Sequence, residues 1–469
     1  MKKYLFILSL VGTALFTACS TADDLVADIP STGLTEEEKA IIVEAGLDSD
    51  VPITLGNVVS RKSGMTRTSI ESDAHDLFET PFDENYPNPA AGKSQYLGVF
   101  CLAMGKQDGA PSSAVATDNI KWNTHVYTNW LNNKPARVLK HAASTVSPID
   151  GGYGENYSYI QFMKDDYTDT QVYYYPFGNW YYYDFFAYYP KQDDANVSIG
   201  YSYVDVDITI DGSQDVIWAH AAGGTSIPDP VTSNAVNSYS AKYMRLSKED
   251  LDHNGRPDHT EFEVVPGLAF DHKLTQFVFS VQPHDTDAPE LYAKGFRLTE
   301  LSLKNVYDEL QLSVASKGGS ITAGTLTIKP GSSHVTDIPA WDASDDSNPF
   351  STHIVVANAD DDTSPKDVGY AIVPPSALIS GKTHNQYLVS IGMEQKDETG
   401  KYPGDDGYSG SDVPDTVISL TEPEGGFLAG HKYNITLVIY TPTQIQATAT
   451  LEDWVSPNDS DHNQTISVD

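Results

Sequence analysis

An all-β protein of two consecutive β-sandwiches is the fold that this sequence predicts. Three observations lead there. From about residue 95, short runs of alternating apolar and polar residues recur, separated by Gly, Asn, Asp and Pro. Outside the first 50 or so residues, no segment keeps a helical apolar period over several turns. Hydrophobic residues make up 40% of the 469-residue chain, enough for real cores at a length that suits two domains.

The N-terminus addresses the chain. Lys2 and Lys3 precede an apolar run from Tyr4 to Leu15, short for a membrane span and typical of a secretory signal. The run closes on Leu15-Phe16-Thr17-Ala18-Cys19, a lipobox pattern in which the cysteine becomes the acylated first residue. An ordinary signal with a chance cysteine is the alternative. Residues 1–18 are therefore expected to be a lipoprotein signal peptide and Cys19 the lipid anchor in the outer membrane of a Gram-negative bacterium. No later stretch approaches the length needed to cross a bilayer.

Residues 19–67 read as an acidic leader. Thr35 and Glu38 form a capping box before Ala40-Ile41-Ile42-Val43 and predict a short helix. Val51-Pro52-Ile53-Thr54-Leu55 alternates like a strand. Arg61, Lys62 and Arg67 follow among Ser, Gly and Thr, a good protease target or an incidental basic linker. The formal net charge of −36 and pI near 4.4 disfavour nucleic acid and anionic lipid headgroups as partners.

The chain has 2 cysteines, so lipidation of Cys19 would leave Cys101 with no disulfide partner. Cys101 lies in the apolar run Tyr96–Met104 and reads as a small buried hydrophobe; a catalytic thiol would want a neighbouring His or basic residue, and none adjoins it. Val172 to Tyr189 is nearly solid aromatic around Trp180, either core strands or a sugar-stacking surface, with the core the simpler reading. Tyr203–Ile210 and Asp215–Ala219 alternate, and Ala221–Asp258 is a polar stretch without period. In Phe270-Asp271-His272-Lys273-Leu274 and Phe277–Val281 the inward set shifts from even to odd, predicting a bulge or kink near Gln276. Further strands follow at Phe296–Leu303, Gly324–Ile328, His353–Val356, Tyr370–Val373 and Gln386–Ile391. The clearest hairpin puts Tyr433, Ile435, Leu437 and Ile439 on one face, turns at Thr441-Pro442-Thr443, and returns Ile445, Ala447, Ala449 and Leu451. The expected sandwiches are residues 68–261, with a polar insertion near 221–258, and 262–469, with a tail at 455–469.

Asp250 to Glu261 fits the EF-hand calcium order, with side-chain oxygens from Asp250, Asp252, Asn254, Asp258 and Glu261 and the Arg256 carbonyl. Pro257 departs from the template and no helix pair flanks it, so a turn rich in Asp and Asn is the alternative to structural Ca²⁺. No other cofactor is implied. Enzyme motifs are scarce: Gly381-Lys382-Thr383 lacks the first glycine of a phosphate loop, and H-E-x-x-H and G-x-S-x-G are absent. His272 reads as a hydrogen-bonded core residue. The expectation is a protein without catalytic residues.

Four stretches carry a resemblance to the fimbrillin superfamily of lipoprotein pilins, which implies that the two consecutive sandwiches are transthyretin-like. Asp184-Phe185-Phe186-Ala187-Tyr188-Tyr189-Pro190 resembles its F-x-AYYP segment, and Asp215–Ala219 the stretch after it. Phe270-x-His272-Lys273-Leu274-Thr275 resembles the F-x-H-x-L run that opens the second half. Phe427–Leu437 with Trp454 resembles the closing hairpin and terminal tryptophan. The resemblance implies a fimbrial shaft or tip subunit serving adhesion, whose leader is removed by an Arg-specific surface protease at Arg67 or, second, Arg61 or Lys62. It implies that Val51, Ile53 and Leu55 plug a groove in the first sandwich, which a neighbouring subunit then fills by strand addition. An open sandwich pairs with any alternating strand supplied to it, and the tail offers Ile466 and Val468 on one face as a donor. A frayed terminus is the plainer reading of that tail. The alternative function is a monomeric surface lipoprotein that binds glycans through exposed Tyr and Trp.

Overall fold

The computed structural model describes residues 48–60, 96–140, 158–246, 266–342, 353–357 and 363–453, except 111, 113, 124–125, 177–179, 225, 230–231 and 319–320. The leader supplies β1 (Asp48–Pro52) and β2 (Gly56–Ser60). Next come β3 (Leu97–Lys106), β4 (Asn129–Lys140), β5 (Ser158–Phe162), β6 (Tyr174–Pro176) and β7 (Tyr181–Tyr189). They are followed by β8 (Val197–Ile199), β9 (Tyr203–Thr209) and β10 (Ile217–Ala221). The stretch that reads as aperiodic holds a small ribbon of β11 (Ser226–Pro228) and β12 (Ala235–Asn237) and the short helix α1 (Ala241–Leu246).

After β13 (Gly267–His272) the order is β14 (Thr275–Pro283), α2 (Ala288–Lys294), β15 (Arg297–Val306), β16 (Glu309–Ser316) and β17 (Thr325–Ile328). Then come β18 (Thr336–Pro339), β19 (Trp341–Asp342), β20 (Ile354–Val355), β21 (Lys366–Val373) and α3 (Ser376–Ile379). The last strands are β22 (Leu388–Glu394), β23 (Thr416–Ser419), β24 (His431–Thr441) and β25 (Gln444–Asp453). Helix α2 has Pro289 in its first turn and stops at Gly295, whose φ of 59° only glycine adopts cheaply.

The protein is all-β, and its sheets stack as sandwiches. A seven-stranded sheet runs β2-β13-β10-β7-β3-β4-β5, and a four-stranded one runs β17-β16-β9-β8. They face each other: the Trp218 indole on β10 donates to the Val314 carbonyl on β16 at 2.8 Å. Strands from either side of residue 262 therefore share sheets, as β13 pairs with β10 and β16 with β9. A second pair of sheets runs β19-β21-β14-β24-β25 and β18-β15-β22-β23, with β20 beside β15. Phe277, Tyr387, Phe427 and Tyr433 fill the space between them edge to face, at 4.7–5.3 Å from Phe277 to the Phe427 and Tyr387 rings.

The expected kink at Gln276 is not a bulge. Strand β13 ends at His272 in one sheet and β14 begins at Thr275 in another, so Lys273 and Leu274 carry the chain between sheets. The parity of the apolar residues shifts because the second strand answers to a different core. The closing hairpin has the expected faces: Tyr433, Ile435, Leu437 and Ile439 are buried and pair with Leu451, Ala449, Ala447 and Ile445.

Candidate functional site

Leader residues 51–56 are packed into the first pair of sheets. Val51, Ile53 and Leu55 are 7%, 4% and 2% exposed, whereas Pro52 and Thr54 between them face solvent. Strict alternation of this kind sends every second side chain into one core. Proline is tolerated at position 52 because it sits where the segment faces out.

Three backbone partners hold the segment. β1 runs antiparallel to β6, pairing Pro52 with Tyr174, and the Ile53 amide donates to the Tyr173 carbonyl at 2.7 Å. The Leu55 carbonyl then accepts from the Ile160 amide of β5 at 2.9 Å, in an antiparallel bridge. The Gly56 amide donates to the Pro266 carbonyl at 3.1 Å, and β2 continues parallel to β13, with Gly56 opposite Gly267. The six strands from β13 to β5 are otherwise antiparallel throughout. The leader thus touches both ends of that sheet, β13 on one side and β5 on the other, and closes it on itself.

The register defines the floor beneath the leader. Val99 pairs with Ala187, Cys101 with Phe185 and Ala219 with both Ala187 and Phe270, so these side chains share one face, and Leu55 joins it through Ile160. All of them are buried. Tyr175, the inward residue of β6, packs edge to face on Phe185 at 6.1 Å. Its buried hydroxyl has no hydrogen-bond partner among the described residues, and burial pushes the phenol well up, with Cys101 and Tyr239 nearby adding to this. Burial, and then the Asp184 carboxylate, push the Cys101 thiol far above its usual range. A thiol held that way is no nucleophile, so Cys101 is floor.

The aromatic block is mostly interior. Tyr175, Trp180, Tyr181, Tyr183, Phe185, Phe186, Tyr188 and Tyr189 are buried, while Tyr174 beside the leader stays 36% exposed. His272 is the buried partner of Asp215, with the Val216 amide on the other carboxylate oxygen at 2.7 Å. A second pair joins His220 to Asp184 at 2.7 Å, and Asp184 also accepts the Gly223 amide at 2.8 Å. Each carboxylate is held by its histidine and a backbone amide, which is how a buried charge is accommodated.

Cys19, Arg61, Lys62, Arg67, the calcium-loop residues Asp250, Asp252, Asn254, Asp258 and Glu261, and the tail residues Ile466 and Val468 lie outside the described residues, as does the leader helix expected after Thr35. Among the described residues no group of three or more His, Cys, Asp or Glu side chains is placed to hold a metal, and no helix is long and apolar enough to cross a membrane. Sequence reading missed the receiving side of the slot: Tyr173, Ile160 and Pro266 take part through backbone groups, which leave no mark on side-chain patterning.

No protein-family model matches the chain, and neither does any curated protein. Similar solved structures include a candidate cell adhesion protein from Bacteroides uniformis, 14% identical over 87% of this chain and 99% of that one, with a TM-score of 0.37. The fimbrial anchor protein Mfa2 from Porphyromonas gingivalis is 11% identical over 86% of this chain and 98% of its own, with a TM-score of 0.26. A fimbrial assembly protein from Parabacteroides distasonis is 10% identical over 87% and 96%, with a TM-score of 0.32. At such identities and scores, function has to be argued from the chain's own geometry.

Proposed function

We propose that this chain is an exported, lipid-anchored subunit of a surface fimbria that serves adhesion, and that it assembles by exchanging its leader strand for a strand of a neighbouring subunit. The observation that carries this reading is the closure of the six-stranded sheet by residues 51–60. That strand belongs to a leader and precedes the basic residues Arg61, Lys62 and Arg67. Cutting there, by an Arg-specific surface protease, leaves the strand held only by backbone hydrogen bonds and three apolar side chains. Full burial of Val, Ile and Leu is worth about 1.5–3 kcal/mol each, so the vacated slot exposes a strong incentive to pair. It also leaves β13 and β5 with unpaired edges, which is the condition for strand addition.

In this reading Cys19 anchors the precursor in the outer membrane, and the partners are other fimbrial subunits. Ile466 and Val468 of the tail are the apolar pair that a donor would offer. Digestion of the purified chain with an Arg-specific protease tests the proposal. Expected are a leader fragment that stays associated at first, and a slot that takes up an added alternating strand as it leaves. A cleaved chain that loses its leader and accepts no added strand would refute assembly through the slot, and one that never loses it would refute the exchange.

A further inference from the structure

The slot has a direction. Its two walls are the first and last of six strands joined by five antiparallel pairings, so β13 and β5 run opposite ways. Any strand closing the gap must be parallel to one wall and antiparallel to the other. The leader takes β13 as its parallel neighbour and β5 as its antiparallel one.

Three fixed backbone groups make that choice specific. The Tyr173 and Pro266 carbonyls each need an amide, and the Ile160 amide needs a carbonyl. The leader meets them in the order amide at Ile53, carbonyl at Leu55, amide at Gly56. A strand entering the other way presents these groups in inverted order and turns the antiparallel pairing with β6 into a parallel one. The sockets add a side-chain code. Positions 51, 53 and 55 are apolar and buried, and position 56, also buried, is a glycine facing Gly267.

Resting on the fimbrial reading above, we infer that the slot is built for a strand of a different subunit, one carrying apolar residues at three alternate positions followed at once by glycine and running in the leader's direction. The chain's own tail does not meet that code. With Ile466 and Val468 in the sockets of Ile53 and Leu55, Gln464 falls in the socket of Val51 and Asp469 falls where Gly56 is buried. An apolar socket filled by an amide and a carboxylate set into a buried glycine position both cost binding. The partner is thus a neighbour of different sequence, and the assembly is a heteropolymer at this joint.

The test uses the full chain with a specific cleavage site placed between residues 61 and 67, cut so that the leader can exchange. A fluorescent peptide of residues 48–60 is exchanged in and followed by anisotropy, against four unlabelled competitors: the same peptide, its reversed sequence, its Gly56→Val form and the tail peptide 455–469. The leader peptide is expected to compete best, and the other three at least about thirtyfold less well, the scale set by one lost buried side chain. Equal competition by the tail or the reversed peptide would overturn the inference while leaving strand exchange intact. Failure of the labelled leader peptide itself to enter would overturn both.

Discussion

Replacing Ile53 with alanine probes the leader at the middle of its plug. Ile53 is 4% exposed, between two other buried residues of the plug. Truncating a buried isoleucine costs about 2–5 kcal/mol, and at 1.4 kcal/mol per decade the undocked leader becomes about thirtyfold to a few thousandfold more populated. Cys101 on the floor reports this directly. In a chain starting after residue 19 it is the sole thiol, and it is fully buried. Where undocking is a fast pre-equilibrium, the rate of thiol labelling in native buffer scales with that population. Ile53→Ala is therefore expected to label about thirtyfold faster or more, while Thr54→Ala, on the exposed side of the same segment, labels at the parent rate. Urea unfolding followed by tryptophan fluorescence shows whether the opening is local. Equal labelling of the two variants would refute the claim that the leader covers the floor.

Asp215→Ala removes one half of the buried pair with His272 and is expected to cost about 3–5 kcal/mol in urea unfolding, whereas an exposed aspartate such as Asp165 changes stability little. Asp397 organises the loop between β22 and β23: the Thr399 hydroxyl, then the Lys401, Ser409 and Thr399 amides, hold its carboxyl well below the usual range. A depressed native value means that its contribution is present above the unfolded value near 4 and is lost as pH falls through the native one. The amides of Thr399, Lys401 and Ser409 should thus keep their exchange protection at pH 4 and lose it only in stronger acid; loss already at pH 5–6 would contradict this. Asp397→Ala should abolish that protection at neutral pH. For the loop of Asp250, Asp252, Asn254, Asp258 and Glu261 we propose structural calcium; titration calorimetry should show heat, and a flat trace would remove it.

Much of the fold was legible because it is written in short-range alternation. Residues 433–439 and 445–451 announce their faces, and so do 51–55, since period two reports a half-buried strand wherever it lies. The cause of the parity shift after His272 was not legible, because a change of sheet and a bulge look the same in one dimension. The pairing of β9 with β16 joins residues about a hundred apart and carries no local sign. The plug was readable and its socket was not: apolar side chains of the leader are letters in the sequence, while the carbonyls and amide that receive it are common to every residue.

The leader's principal partners are made long after it. Gly56 pairs with Gly267, and Leu55 with Ile160, so a segment that emerges early from the ribosome is among the last to find its place. Contacts of such sequence separation form slowly, and until they do an apolar β-segment waits unpaired. In the proposed fimbrial reading, a lipid tether near the membrane or a holding chaperone would serve the same end: protecting a sticky strand during the interval between its birth and its docking.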